Sequence, residues 1–309
     1  MNASGKSRYT VIKGRYWINY PDQPRRGPEP DGDTIRFEPE NIDLVRKLPW
    51  FSGRGPEFNA RGNIAVRYEG IDALETHFRG AHQQLHYALA ARDENLRLLG
   101  FRNISYFPNL PNIVSSVDTN PLEGFVIANG IESNGRLLGL VFPGTTDRSD
   151  GSKPFVDSAL LDQSINAQLV MSGLAYVEPY DTMPLSLVQH LSQLIRVSRH
   201  NRAGLFAAED VTTNAMTEVA DRTALQRLVM WPKLFRRLLA YFAEGHAGLT
   251  RFDEWVRADP IGRDDTLRLP DGEKGNIHDT YVVNANALQL RFNPEDVLIA
   301  PDPGPMSAQ

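Results

Sequence analysis

The sequence predicts an α+β fold in which a small barrel-like sheet and three helices occupy residues 9–210, followed by a smaller, mainly helical region over residues 211–309. Strand-like runs rich in β-branched and aromatic residues come first, and helix-like runs alternate with further strands after them. From about Val211 onward, apolar residues recur mostly at helical spacing. At 309 residues, the chain has the length of about two domains. We therefore expect one domain over 9–210 and an accessory region over 211–309.

The first half is expected to supply most of the sheet. β-branched and alternating runs predict strands at Tyr9–Lys13, Arg15–Ile18, Thr34–Phe37 and Ile64–Tyr68. A stretch rich in proline and glycine predicts an insertion near residues 39–63, which Trp50 and Phe51 are expected to hold to the body of the domain. Prolines and asparagines predict a second loop insertion near residues 103–123.

Three helices are predicted from apolar residues that recur every three or four positions. They cover about Ala81–Leu99, the stretch from Leu161 to Gly173, and the stretch from Pro184 to Gly204. The first helix is expected to bury Leu85, Leu89 and Leu96. Apolar runs at Gly124–Asn129 and Leu137–Phe142 flank a polar turn and predict a β-hairpin.

Residues 211–309 are expected to form an accessory region. Apolar residues at helical spacing run over Leu225–Phe242, and Pro232 among them predicts a kink or a fresh helix start. Runs at Tyr281–Asn284 and Leu288–Phe292 predict a terminal β-hairpin. The region shows no cluster of catalytic residue types, so we expect it to modify substrate access or to form a homo-oligomer.

The composition excludes several classes of protein. The chain has no cysteine, which excludes a disulfide framework, thiol catalysis and zinc bound by cysteine. No apolar run approaches the ~18 residues of a membrane span, so we do not expect an integral membrane protein. The formal net charge of −5 means that any contact with nucleic acid must come from a few placed cations. The N-terminus lacks the apolar core of a signal peptide, which favours a cytoplasmic location.

Carboxylates cluster at two expected strand ends. An Asp-Gly-Asp-Thr motif opens one strand, and an acidic turn follows the strand Ile64–Tyr68. A hard divalent cation requires oxygen ligands, which Asp33, Asp72 and the backbone carbonyl of Ala73 would provide. Glu75 lies three residues beyond Asp72, close enough to act on a metal-bound water as a general base.

Two arginines complete the chemistry that these carboxylates indicate. Arg67 lies in the strand before the acidic turn, and Arg136 follows the hairpin turn. A phosphate under attack gains negative charge, which two guanidinium groups would stabilise through bidentate hydrogen bonds. Metal-assisted phosphodiester hydrolysis is the reaction that this set suits. Each residue alone also has an ordinary explanation: a simple turn, a surface cation or, for Asp72 or Glu75, a cap on the following helix.

Taken together, these segments resemble the staphylococcal (thermonuclease) nuclease family. Order and approximate spacing agree over about residues 9–210, apart from the insertions near 39–63 and 103–123. The matching stretches are Asp31-Gly32-Asp33-Thr34, Val66-Arg67 through Asp72-Ala73-Leu74-Glu75-Thr76, Asn134-Gly135-Arg136 through Phe142, Ile165 through Ala175, and Asn201 through Phe206.

The resemblance implies a nuclease-like fold: an OB-type five-stranded β-barrel with three helices that binds single-stranded or locally opened DNA or RNA. It implies a nuclease that uses Ca²⁺, with other divalent ions as alternatives, and leaves 5′-hydroxyl and 3′-phosphate ends. The implied site residues are Asp33, Asp72 and the Ala73 carbonyl as metal ligands, Asp31 in the outer shell, Glu75 acting on the attacking water, and Arg67 and Arg136 holding the phosphate.

A catalytically silent OB-type module that binds nucleic acid or protein is the alternative function. Inactive copies of the nuclease-like domain usually lose the acids and arginines, whereas this chain keeps all five charged positions. Two nearby positions depart from the family, because Ala73 stands in place of a threonine and Leu74 in place of a proline. The alanine is compatible with a metal bound by its carbonyl, whereas the leucine leaves the turn less constrained.

Two further features have more than one interpretation. His82 and His86 are spaced i, i+4 on the first expected helix, which suits either a metal pair or a polar helix face. Lys233, Arg236 and Arg237 lie beside the apolar stripe of the accessory region. They would either contact phosphates or form a solvated face.

Overall fold

The computed structural model describes residues 9–300, which divide into two compact units. The first unit comprises residues 9–69 and 92–169, and the second comprises residues 70–91 and 170–300. The domain boundary expected near residue 210 lies inside the second unit. That boundary stays a prediction.

Residues 9–300 form fifteen strands and eight α-helices, which confirms the α+β class. The strands are β1 Thr10–Trp17, β2 Thr34–Pro39, β3 Ile64–Tyr68, β4 Ile71–Ala73, β5 Ser105–Phe107, β6 Leu110–Ser116, β7 Leu122–Ile131, β8 Leu137–Pro143, β9 Ala175–Val177, β10 Thr217–Glu218, β11 Thr266–Arg268, β12 Lys274–Asn276, β13 Tyr281–Asn284, β14 Ala287–Leu290 and β15 Leu298–Ile299. The helices are α1 Ile42–Arg46, α2 Leu85–Leu99, α3 Ser158–Asp162, α4 Ile165–Met171, α5 Leu185–His200, α6 Arg222–Leu225, α7 Pro232–Ala243 and α8 Phe252–Arg257.

The first unit is built on a closed barrel with strand order β1-β2-β3-β8-β7. Neighbouring strands are antiparallel except β3 and β8, which run parallel. Buried and partly exposed residues alternate along β2 and β3, so one face of each strand lines the interior. The barrel-like sheet expected from the sequence is confirmed, and a closed barrel of five strands is consistent with an OB-like fold.

The buried Tyr16 of β1 reaches strands β7 and β8. The Tyr16 ring is fully buried, and its hydroxyl donates to the carbonyls of Phe125 and Phe142 at 2.7 and 3.0 Å. A Cβ atom at Gly124 would lie 2.0 Å from the Tyr16 ring. Only glycine therefore leaves room for the ring at this position of β7.

The insertion near residues 39–63 contains the short helix α1 and is held to the barrel at Trp50 and Phe51. The Phe51 amide donates to the Ile131 carbonyl at 2.9 Å, and the Phe51 ring lies against Gly130, where a Cβ atom would meet it at 2.7 Å. Trp50 also contacts the barrel, because it forms a parallel β-bridge with Ile131 of β7, although its side chain is 51% exposed.

The stretch near residues 103–123 is not an unstructured loop. Strands β5 and β6 pair as an antiparallel hairpin, and Ile113 and Val114 of β6 are buried. Pro111 lies in β6, which has β5 as its only partner among the described residues. A proline is tolerated in such an edge strand, so here it does not break the strand.

The first helix is shorter than expected. Helix α2 begins at Leu85, which is 39% exposed, so the expected inward stripe is wrong in its first turn. The buried face instead includes Ala88, Ala91 and Leu96, and Gly100 ends the helix with a positive φ of 103°. The second expected helix is interrupted and forms α3 and α4, whereas the third is confirmed as α5.

The second unit contains the β4–β9 ladder, helix α5, helices α6–α8 and two three-stranded sheets. Its hydrophobic core includes Trp231, Leu234 and Phe235 at the start of α7, together with Phe252 of α8. Pro232 occupies the first turn of α7, which confirms a fresh helix start. The terminal hairpin is confirmed as β13 and β14, but the sheet of β11, β12 and β15 was not expected from the sequence.

Among residues 9–300, no helix is both long enough and apolar enough to cross a membrane. Residues 1–8 of the N-terminus and residues 301–309 of the expected accessory region fall outside the described residues.

Candidate functional site

The predicted site residues fall into two groups, one in each compact unit. The first unit holds Asp31, Asp33, Arg67 and Arg136, and the second holds Asp72, Ala73 and Glu75. Within each unit, charged members of the group form ion pairs with other side chains of the same unit.

A tight turn presents Asp33 at the start of β2. The Asp31 amide donates to the Thr34 carbonyl at 3.2 Å, and Asn95 of α2 donates from Nδ2 to the Asp31 carbonyl at 2.7 Å. The Asp33 carbonyl accepts from the Tyr68 amide at 3.0 Å. These bonds fix the backbone of the motif between β2, the end of β3 and α2, so the Asp33 carboxylate starts from a rigid support.

Arg67 and Asp33 form an ion pair across β2 and β3, through Arg67 Nη1 and Asp33 Oδ2. The strand register places Thr34 directly opposite Arg67, and the Thr34 hydroxyl donates to Asp33 Oδ1 at 3.1 Å. Both members of the pair are largely buried. The structure therefore places a predicted metal ligand in direct contact with a predicted phosphate-binding arginine.

Arg136 is held by a carboxylate of its own turn. Its Nε and Nη2 atoms donate to Glu132 Oε1 and Oε2 at 3.0 and 3.3 Å, and its amide donates to Oε1 at 3.0 Å. Burial opposes ionisation of Glu132, but the Arg136 guanidinium outweighs it and lowers the pKa of Glu132 below its ordinary value. About a third of the Arg136 side chain stays exposed, at 31%.

Glu69 is a buried acid that directly follows β3 in the first unit, and sequence reasoning assigned it no role. Burial raises the pKa of Glu69 to about 7, although hydrogen bonds from Asn129 and Tyr9 act in the opposite direction. Its backbone is also fixed, because Asn166 donates from Nδ2 to the Glu69 carbonyl at 3.0 Å. The β3 end thus carries a carboxyl group that titrates near neutral pH.

In the second unit, Asp72 and Ala73 lie in the short strand β4. This strand pairs antiparallel with β9, so that Asp72 faces Tyr176 and Ala73 faces Ala175. Both Asp72 and Ala73 are buried. The pairing explains the burial, because the three residue pairs of β4 and β9 hold Asp72 in the interior of the second unit.

Glu75 lies in the turn after β4, and a glutamine fixes its backbone. The Glu75 amide donates to Gln83 Oε1 at 3.1 Å, and the Gln83 amide donates to the Glu75 carbonyl at 2.9 Å. Gln83 in turn donates from Nε2 to the Met230 carbonyl at 2.9 Å. Helix α2 begins only at Leu85, well beyond this turn, so the explanation of Asp72 or Glu75 as a helix cap is wrong.

Arg236 of α7 binds both of these carboxylates. Its Nη1 and Nη2 atoms donate to Asp72 Oδ1 and Oδ2 at 3.1 and 3.0 Å, and Nη1 also donates to Glu75 Oε1 at 2.7 Å. Burial works against the charge of Arg236, but Asp72 and Glu75 outweigh it and raise the pKa of Arg236. The bidentate pair matches the fork geometry that makes arginine–carboxylate contacts strong.

The ion pair belongs to a larger buried network along α7. Lys233 Nζ lies 3.2 Å from Asp265 Oδ1 and 3.9 Å from Glu178 Oε1. Arg237 donates from Nη2 to Asp265 Oδ2 at 2.7 Å. Burial opposes the charge of Lys233, yet Asp265 and its other partners raise the pKa of Lys233. Because Lys233 is only 5% exposed, the interpretation of these cations as a solvated face is wrong for that residue.

The arrangement around Asp72 is that of an ion pair rather than that of a calcium site. Across residues 9–300, no group of three or more His, Asp or Glu side chains is placed to hold a metal ion. Calcium would need oxygens of the Asp72 carboxylate, both of which accept hydrogen bonds from Arg236. A second cation beside a guanidinium in a buried site is strongly repelled. With Arg236 in this position the donor set does not fit a divalent cation, and the calcium role of Asp33, Asp72 and Ala73 stays a prediction.

Two of the groups that contact the predicted site residues escaped sequence reasoning for different reasons. Glu132 lies four residues before Arg136, so its spacing was a usable signal. Arg236 is 164 residues from Asp72, and no local pattern signals such a contact. The histidine expectation also fails in part, because His82 precedes α2 and only His86 lies on that helix.

Comparison with known proteins does not assign the chain to a family. The chain matches no model of a known protein family, and no curated protein matches it. The resemblance to the staphylococcal nuclease family therefore rests on the motifs of the sequence, with which the closed five-stranded barrel is consistent.

Proposed function

We propose that the protein is a nuclease that hydrolyses phosphodiester bonds of single-stranded or locally opened DNA or RNA. The observation that carries the proposal is the closed barrel with Asp33 and Arg67 paired at the ends of adjacent strands β2 and β3. A rigid barrel supports such side chains more firmly than a loop, which is what positioning of a phosphate requires. The five charged positions of the motifs support the same reaction.

The proposed roles follow from the chemistry of each side chain. Arg67 and Arg136 would donate hydrogen bonds to the phosphate oxygens, whose charge increases as water attacks. Glu75 would take a proton from that water as the new oxygen–phosphorus bond forms. The bond from phosphorus to the 5′-oxygen breaks, and the leaving oxygen takes a proton from solvent. The expected products are a 3′-phosphate and a 5′-hydroxyl end.

The proposal is tested by digestion of single-stranded DNA and RNA with the purified full chain. Separate reactions contain Ca²⁺, Mg²⁺, Mn²⁺ or a chelator. Arg67→Lys should lower the rate by about 10²–10³ at equal protein, because a lysine does not reproduce the bidentate contact. Arg97→Lys is the matched control, since Arg97 pairs with Glu94 on the exposed face of α2.

Each result of this digestion has a definite meaning. Cleavage that depends on Arg67 but not on Arg97 supports the proposal. Cleavage that is equal in both variants shows that Arg67 does not hold the phosphate. No cleavage under any of these conditions contradicts the proposal. The chelator separately tests the calcium requirement that the family resemblance implies.

The second candidate function is a binding module without turnover, and one observation favours it. Asp72 and Glu75 are engaged by Arg236, so the proposed general base is already bound to a guanidinium. Binding of an unhydrolysed oligonucleotide, with no fragments from any ion, identifies this alternative. A homo-oligomer and a cytoplasmic location stay predictions alongside either function.

A further inference from the structure

We propose that Arg236 is the resident cation of the Asp72–Glu75 pair, and that Arg236 and a divalent cation exclude one another at these carboxylates. The inference deepens the proposed function, because it concerns the acids of that site. It assigns a positioning residue to the region that was expected to be only accessory.

The contacts of Arg236 are those of a cation held by a ligand set. One guanidinium reaches three oxygens of two carboxylates at 2.7–3.1 Å, and its Nη2 atom lies 3.8 Å from Glu178 Oε1. A divalent ion uses the same carboxylate oxygens. The two cations therefore compete for the same atoms rather than for neighbouring surfaces.

Because the Asp72–Arg236 pair is buried, the two cations cannot bind these carboxylates at the same time. The Asp72 and Arg236 side chains are 1% and 19% exposed. Solvent screens like charges poorly in such surroundings, so a divalent ion beside the guanidinium has a large electrostatic cost. Conversely, removal of one partner from a buried ion pair leaves the other charge uncompensated.

The charges around Arg236 indicate what replaces it when it is removed. Its guanidinium lies beside the carboxylates of Asp72, Glu75 and Glu178. Loss of Arg236 removes one positive charge from among these three acids. A divalent cation carries the compensating charge.

Arg236 is also held in place by its helix. Its neighbours Leu234, Phe235 and Leu238 are fully buried in the core of the second unit, and Pro232 occupies the first turn of α7. The guanidinium therefore projects from a packed helix. Its position reflects the packing of α7 and not the chance conformation of a surface side chain.

The test measures cation binding, with Tb³⁺ luminescence and Ca²⁺ calorimetry on the full chain. The wild type should show no Asp72-dependent Ca²⁺ binding up to about 1 mM, the weak end of protein calcium sites. Arg236→Gln should bind Ca²⁺ with a Kd of about 0.1 mM or lower, at least about tenfold below that limit, because its acids lose their resident cation. Adding Asp72→Asn to this variant should abolish the gain.

A surface variant controls for the loss of one positive charge. Arg257 pairs with Asp253 on the exposed side of α8, so Arg257→Gln should leave Ca²⁺ binding unchanged. If Arg236→Gln unfolds without metal, addition of Ca²⁺ should restore its near-ultraviolet circular dichroism. Failure of Ca²⁺ to bind this variant, or to restore its fold, overturns the inference.

The wild type gives an independent test that needs no Arg236 variant. Ca²⁺ binding by the wild type at or below about 1 mM that is lost in Asp72→Asn overturns the inference as well. These outcomes are separate from those for the proposed function. Absence of cleavage contradicts the proposed nuclease activity but not the role of Arg236. Asp72-dependent calcium binding by the wild type contradicts the role of Arg236 but not the nuclease activity.

Discussion

Replacement of Glu69 by glutamine tests the buried acid at the end of β3. Burial raises the Glu69 pKa from 4.5 to about 7, so the folded state keeps a proton that the unfolded chain has lost. Between these two values the folded protein binds more protons, and the free energy of unfolding falls as pH rises. Above pH 7 both states are ionised and the loss is complete. The full difference corresponds to about 3 kcal/mol.

Glu69→Gln removes this dependence while keeping the shape of the side chain. Asn129 donates to Glu69 Oε1, and a glutamine oxygen accepts the same bond. Between about pH 5 and about pH 8 the wild type loses up to about 3 kcal/mol of unfolding free energy through Glu69, and the variant does not. The difference in unfolding free energy, variant minus wild type, should therefore rise by up to about 3 kcal/mol over this range. Glu209, whose pKa burial also raises to about 7, stays in both proteins and cancels in the comparison.

Urea denaturation at several pH values measures the effect. Glu57→Gln is the control, because Glu57 forms an exposed pair with Arg54. The control should follow the wild-type pH dependence, since exposed pairs contribute little to stability. If Glu69→Gln also follows the wild-type curve over the whole range, burial does not perturb Glu69 and the reasoning is refuted.

Two further substitutions test the barrel and the phosphate contact. Arg136→Lys should lower the rate of nucleic-acid cleavage by about 10²–10³. It should change the unfolding free energy by at most ~1 kcal/mol, because the partly exposed pair of Arg136 with Glu132 contributes little to stability. A cleavage rate equal to that of the wild type contradicts the assigned role. Gly124→Ala should destabilise the barrel by about 1–3 kcal/mol in urea denaturation, because its Cβ atom would lie 2.0 Å from the Tyr16 ring. Gly27→Ala has its nearest contact at 3.4 Å and should be neutral; similar losses in both glycine variants would refute the packing argument.

Where local pattern and burial agree, the sequence predicts the structure closely. The strand Ile64–Tyr68 has the predicted bounds because alternate residues face the barrel interior. The hairpin of β7 and β8 was predictable from apolar runs around a polar turn, and the terminal hairpin from two such runs. Both signals are local, so they need no knowledge of distant contacts.

Predictions failed where a distant contact outweighed the local pattern. The first helix was expected from about Ala81, but Gln83 hydrogen-bonds to Glu75 and Met230, and the helix begins only at Leu85. The candidate site shows the same limit. Motifs identified the acids and arginines, whereas the partner of Asp72 and Glu75 comes from α7, where the local sequence indicates only an amphipathic helix.

Analysis of the ends left on a labelled single-stranded oligonucleotide tests the central claim most directly. The wild type should produce fragments with 3′-phosphate and 5′-hydroxyl ends, and Glu75→Gln should form them about 10²–10⁴ times more slowly, because it lacks the group that takes the proton from water. An oligonucleotide that the wild type binds but leaves whole, or equal rates for the wild type and Glu75→Gln, would contradict the account.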